Sequence, residues 1–259
     1  MRPLEWGAEV STKPHPEASE AIRQVRLAVQ ADLTGRLLRR YKRFLVDIET
    51  PGGATITVHC PNPGSMKGVD RAGSQVRCST SRNPRRKLRH TLEMIRVGRI
   101  WVGLHTLRAN QLAARALGAG AIPDLRGYAE VKAEVAVGGG SRLDFRLTRH
   151  PADPRPAYVE VKSVTMAEGR RARFPDAVTE RGQRHLKALA RLHRAGARAV
   201  LLFLVQRGDC EWVEPADDID PAYGRGLRSA AAAGVEILAV RARVTAREIR
   251  LEKTLPVLL

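Results

Sequence analysis

Ser141-Arg142-Leu143-Asp144-Phe145, followed after a proline-rich turn by Tyr158-Val159-Glu160-Val161-Lys162, decides how this chain reads. Both halves alternate apolar and polar residues, the period of a half-buried strand. Val159 and Val161 then face a core, while Glu160 and Lys162 share the other face. If the two strands pair as a hairpin, Asp144 meets Glu160 across the ladder. Two carboxylates with a lysine beside them are a candidate Mg²⁺ (or Mn²⁺) site, because such an ion keeps several waters and needs few protein oxygens. Asp144 and Glu160 are the expected metal ligands, with the Val161 carbonyl as a third oxygen. Lys162 is placed to orient water or to neutralise charge developing on a phosphoryl group. Glu134, one strand earlier, is a further candidate acid, with a solvent-facing edge position as its other reading.

Outward from this pair, residues 110–117 read as a short helix, and residues 130–137, 142–147 and 157–161 as three consecutive strands. A long amphipathic helix over 180–195 and a continuous apolar strand over 199–205 complete an αβββαβ order. A helix over 221–233 and a strand over 235–240 follow. Arg181 and His185 stand four apart on the long helix, as candidates to bind a phosphate or a water. Between them Gly182 costs about 1 kcal/mol relative to Ala unless something approaches closely.

Upstream, strand-like segments at 37–49, 54–60, 75–81, 88–97 and 100–107 predict a small five-stranded barrel, of which the OB fold is the commonest nucleic-acid-binding example, or else a plain β-sandwich. Residues 1–34 read as a loose N-terminal extension with a short helix, residues 35–108 as the basic domain and residues 109–259 as the α/β domain. The loop His59-Cys60-Pro61-Asn62-Pro63-Gly64-Ser65-Met66 is stiffened by its prolines. It reads either as a presenter of donors to a phosphate or as a tightly wound barrel loop.

The formal charge is +18, from 45 Lys plus Arg against 27 Asp plus Glu. Residues 36–108 hold 16 of the cations and 4 of the acids, hence +12 of that total. So uneven an excess points to nucleic acid as partner rather than an acidic metabolite. Arg40, Lys42 and Arg43, with Arg82, Arg85, Arg86 and Lys87 on a second loop, are the expected phosphate contacts, which add salt dependence rather than sequence specificity. Tyr41, Phe44 and Trp101 are the aromatics available to stack on bases. Three scattered cysteines argue for reduced thiols, and the acidic N-terminus without an apolar run argues against a secretory signal or a membrane span. The expected compartment is the cytoplasm.

The order of Arg40-Tyr41-Lys42-Arg43-Phe44, His59-Cys60-Pro61-Asn62, Gly64-Ser65-Met66, Asn83-Pro84, Arg86-Lys87, Ser141-Arg142-Leu143-Asp144-Phe145, Glu160-Val161-Lys162, Phe174-Pro175-Asp176-Ala177-Val178-Thr179 and Arg181-Gly182 closely resembles the prokaryotic sugar fermentation stimulation protein family. The resemblance runs from about Gly35 to the C-terminus. It implies an α+β protein in which an OB-like barrel precedes a nuclease-like domain of the PD-(D/E)xK type, a DNA-binding activity, and a link to the regulation of sugar, notably maltose, metabolism. The nuclease residues implied are Asp144, Glu160 and Lys162. The chain departs from the family pattern at Pro63, at Ser163 and before Gly35. Three functions compete: a Mg²⁺-dependent nuclease, a DNA-binding regulator using the fold as a scaffold, and an RNA-binding or RNA-processing protein.

Overall fold

The computed structural model describes residues 16–259. The expectation of a loose N-terminal extension lies outside the described residues for 1–15; beyond them the chain departs from it. Helix α1 (Pro16–Gln24) leads into strand β1 (Arg26–Ala28), and β1 pairs antiparallel with a strand near the other end of the chain through Leu27↔Ile249. Ile22, Val25, Leu27 and Val29 are buried in the core of the α/β domain.

The barrel is made of β2 (Leu33–Tyr41), β3 (Leu45–Glu49), β4 (Thr55–His59), β5 (Gln75–Thr80) and β6 (His90–Val97). β2 pairs with β3 and β5, β3 with β4, and β5 with β6; the bridge His59↔Thr91 between β4 and β6 closes the ring. Its interior is filled by Leu37, Val46, Ile48, Val58, Leu92 and their neighbours.

Five strands form a barrel as expected, but not by the expected division. Residues 37–49 are two strands, because Lys42 (φ 47°) and Arg43 (φ 63°) turn the chain in the left-handed region that hairpin turns normally fill with Asn or Gly. The turn is held by Phe44 N–H donating to the Lys42 carbonyl (2.7 Å) and by Arg40 Nε donating to the Arg43 carbonyl (3.0 Å). Residues 100–107 also divide. β7 (Ile100–Gly103) pairs with β6 on one side and touches the next sheet at Trp101↔Val244, while Thr106 already begins helix α2 (Thr106–Gly118).

Through β7 the barrel is continuous with a second sheet, in which β15 (Glu236–Val244), β13 (Arg198–Val205), β10 (Ala157–Val164), β9 (Arg142–Thr148) and β8 (Glu130–Ala136) follow in spatial order. β16 (Glu248–Thr254) pairs with β15 and β1. A small separate sheet joins β11 (Ala167–Glu168), β12 (Arg171–Phe174) and β14 (Trp212–Pro215). β13 is buried on both faces, as its apolar run requires: Val200, Leu202 and Leu204 pack with Ala109, Leu112, Ala113 and Ala116 of α2. Leu201, Phe203 and Val205 pack with α3 (Glu180–Arg194) and α4 (Pro221–Ala232).

One carboxylate fixes where α3 and α4 begin. Asp220 caps α4 by accepting from the Tyr223 N–H (2.9 Å), and it also accepts from the Thr179 N–H (2.9 Å) and the Gln183 amide (3.2 Å) at the head of α3. Thr179 in turn caps α3 through the Gly182 N–H (3.0 Å). Gly182 has no room for a side chain, since a Cβ there would stand 2.8 Å from Thr179 Cγ2 and 3.0 Å from the Tyr223 ring. Burial pushes the Asp220 carboxyl up, but the donated bonds from Thr179, Tyr223 and Gln183 outweigh it and hold the group below the usual carboxylate range. Asp220→Ala should therefore lose about 2–3 kcal/mol at neutral pH in urea denaturation, combining a lost cap with donors left unpaired. The stabilisation is complete above the unfolded carboxyl value of about 3.9 and vanishes as pH falls through the lower folded value. The gap between wild type and variant should close on acidification below about pH 4.

Candidate functional site

β9 and β10 pair through Ala157↔Leu147, Tyr158↔Arg146 and Val159↔Phe145, so the next positions in register are Glu160 and Asp144. There the ladder stops. The Val161 N–H, instead of bonding to the backbone of β9, donates to Asp144 Oδ2 (2.7 Å), and Asn110 of α2 donates to Oδ1 (2.7 Å). Glu160 is only 3% exposed; its Oε1 accepts from Lys162 Nζ (2.7 Å) and contacts His185 Nδ1 of α3. Lys162 Nζ also lies 3.3 Å from His185 Nδ1. Glu160 Oε2 is buried with no protein partner.

The two carboxylates are driven apart in acidity. Burial first, and then the neighbouring charge of Glu160, push Asp144 up to about 6, against the bonds from Val161 and Asn110. Burial also raises Glu160, but His185 and Lys162 overcome it and hold that carboxyl below its ordinary value. Two like groups in one site titrate in this divided way when both cannot ionise freely.

The other expected acid does not join them. Glu134 falls opposite Asp144 in the β8–β9 register, between Ala133↔Phe145 and Val135↔Leu143. Its φ of 56° breaks the ladder, and its side chain is exposed, 3.5 Å from Arg142. Among the described residues no three His, Cys, Asp or Glu side chains converge as metal ligands. Arg181 and His185 also part company: Arg181 is exposed at the head of α3, whereas His185, one turn on, is buried against Glu160. His185 thus holds an acid rather than facing solvent.

Beside this pair lies a cleft of about 500 Å³, lined by Arg43 and Asn62 of the barrel domain, by Thr106 and Asn110 of α2, and by Lys162 and Arg181. Its walls are tied together. Asp176, in the segment before α3, accepts from the Met66 N–H (2.9 Å), and Ser65 Oγ donates to the Asp176 carbonyl (2.5 Å). Gly64 is required there, because a Cβ would stand 2.5 Å from Asp176 Oδ1. The loop is also held from below by Arg40, which donates to the carbonyls of Asn62 (2.9 Å), Gly64 (2.7 Å) and Ser65 (2.9 Å) as well as to that of Arg43. Its guanidinium is a bracket for the loop rather than a free phosphate ligand. The loop's own donors are likewise engaged, Gly64 N–H with Asn62 Oδ1 (2.9 Å) and Met66 N–H with Asp176.

The remaining basic residues are open to a partner. Lys42, Arg43, Arg82, Arg85, Arg86 and Lys87 are exposed. Arg86 also donates to Thr91 Oγ1 (3.1 Å). Burial, with Arg86 close by, holds His59 below the ordinary imidazole range, and His105, just before the cleft residue Thr106, is held down chiefly by burial. Sequence reasoning missed Asn110, which reads as one polar residue in a helix; only its place beside the buried positions Ala109 and Ala113 hinted that it faces the sheet margin.

A closed five-stranded barrel joined by a continuous sheet to an α/β domain defines an α+β protein in which an OB domain precedes an α/β domain. The chain belongs to the sugar fermentation stimulation protein family. The model for the SfsA N-terminal OB domain matches residues 38–104, and that for the sugar fermentation stimulation protein RE domain matches residues 107–248. A sugar fermentation stimulation protein homolog of Pelobacter propionicus is 52% identical, covering 88% of this chain and 97% of its own. One of Pseudomonas paraeruginosa is 53% identical, covering 86% and 95%. The solved structure of Pyrococcus furiosus SfsA in complex with Ca²⁺ matches with a TM-score of 0.82 at 26% identity, covering 90% of this chain and 98% of that one. No helix among the described residues is long and apolar enough to cross a membrane.

If Arg40 is a bracket, Arg40→Lys, which keeps the charge but not the planar fork, should cost about 1–2 kcal/mol of stability in urea denaturation.

Proposed function

We propose that this protein is a divalent-metal-dependent phosphodiesterase acting on nucleic acid, with DNA as the first substrate to test. The observation that carries the reading is the coupling of Asp144 with Glu160 where the β9–β10 ladder breaks, directly behind Asn110, Val161 and Lys162, which line a cleft together with Arg43 and Arg181. A structural pair of acids has no need of such a cleft.

The donor set fits a hard cation. Asp144 and Glu160 offer carboxylate oxygens, and Glu160 Oε2 is a buried acceptor without a partner. Mg²⁺ or Mn²⁺ held by these two residues would supply positive charge for the phosphoryl group and lower the pKa of water. The Pyrococcus furiosus relative was solved with Ca²⁺, which also prefers oxygen ligands. Lys162 holds Glu160 and lines the cleft, where its charge can stabilise a phosphate oxygen. His185 fixes Glu160 from beneath, and Asn110 with the Val161 N–H fixes Asp144. Arg43 and Arg181 hold phosphates on either side.

A second reading, a DNA-binding regulator that keeps the fold as a scaffold, is favoured by the exposed basic loop and by the absence, among the described residues, of a third acid at the site. Incubation of the purified protein with DNA and RNA, with and without Mg²⁺ or Mn²⁺, separates the two. Asp144→Asn and Glu160→Gln keep side-chain size and should each lower cleavage about 100-fold or more while leaving binding intact. Cleavage unaffected by both substitutions would remove the site; binding without cleavage by the wild type would establish the scaffold. Replacing Arg85, Arg86 and Lys87 by Ala should reduce the slope of log affinity against log salt by up to about 3. An unchanged slope would take that loop out of the footprint.

A further inference from the structure

Six large apolar side chains are exposed among the described residues: Leu38, Phe44, Leu107, Val178, Leu258 and Leu259. One of them lines the cleft, and two are sequence neighbours of lining residues. Val178, 69% exposed, lines it; Leu107, 62% exposed, follows the lining residue Thr106; Phe44, 43% exposed, follows the lining residue Arg43. Arg43 reaches the lining from the positive-φ turn at Lys42 and Arg43, a backbone conformation that residues other than Gly seldom adopt, and exposed Phe44 follows it.

From this combination we infer that the cleft binds an unpaired nucleic-acid strand, so that the preferred substrate is a single strand or a frayed end rather than an intact duplex. The inference rests on the nucleic-acid reading above and sharpens it. A duplex keeps its base faces stacked inside and presents phosphates and groove edges, for which exposed Phe44, Leu107 and Val178 have no use. An unpaired strand offers base faces as well as phosphates, and sites for it pair cationic grooves with apolar or aromatic platforms. Arg43 and Arg181 provide the cations here, and neither is in a salt bridge among the described residues. The size agrees: at about 500 Å³ the cleft has the volume of a site for a small molecule or a nucleotide unit. Its walls are tied through Asp176 to Ser65 and Met66, which sets the width.

Fluorescence anisotropy in EDTA, where cutting is suppressed, tests the point with one labelled oligonucleotide presented as a single strand and as its duplex, beside an RNA strand of the same sequence. The single strands should bind at least about fivefold more tightly than the duplex at equal salt. Phe44→Ala and Val178→Ala alter exposed side chains, and thermal melting will report whether each remains folded. Each should weaken single-strand binding by about fivefold and shrink the preference over duplex. Tighter binding of the duplex, or variants that bind single strands as well as the wild type, would overturn the inference while leaving nucleic-acid binding standing. Binding of neither form would overturn the nucleic-acid reading itself.

Discussion

A carboxylate buried within a sheet is unfavourable unless cations and donors meet it there, and Glu160 is such a group. Its stability depends on Lys162, two residues along the same strand, and on His185, which reaches it only if α3 lies over β10. The placement of α3 depends on Thr179 and on Asp220, which joins its head to that of α4. The segment before α3 is fastened by Asp176 to the barrel loop, and that loop is held by Arg40. One buried charge is thereby connected, bond by bond, to the barrel on the far side of the cleft. Each tie is a hydrogen bond to backbone or to an ionised group, the kind whose loss leaves unpaired buried atoms.

The same dependence accounts for the cleft. A sheet ordinarily continues its ladder wherever two strands remain side by side, but here Asp144 takes the N–H of Val161 and ends it. The strand ends are left open at the margin of the sheet, where α2 contributes Asn110 and the barrel contributes Arg43. The paired acids and the exposed basic loops belong to different domains, whose relative placement is set by β7 and by the Asp176 latch.

Much of this was legible in the chain. A period of two put Glu160 and Lys162 on one face, and pairing the two halves placed Asp144 opposite, because strand alternation needs only local information. The barrel was legible as a set of short strands, and the α/β domain as its αβββαβ order. The division of residues 37–49 was not, since Tyr41-Lys42-Arg43-Phe44 contains no Gly, Asn or Pro to announce a turn. β1 was hidden because its partner lies at the opposite end of the chain. The types of Arg40 and His185 were noticed, but their roles are set by tertiary neighbours: one guanidinium meets carbonyls instead of phosphates, and one imidazole is turned inward to an acid.

The most direct measurement is a crystal structure of the protein grown with Mn²⁺ and a short oligonucleotide, with the ion located by its anomalous scattering. The account predicts one peak within bonding distance of both Asp144 and Glu160, with a phosphate of the strand beside it and Lys162 facing that phosphate. A peak elsewhere, with Glu160 still engaged only by Lys162 and His185 and the strand lying outside the cleft, would contradict it.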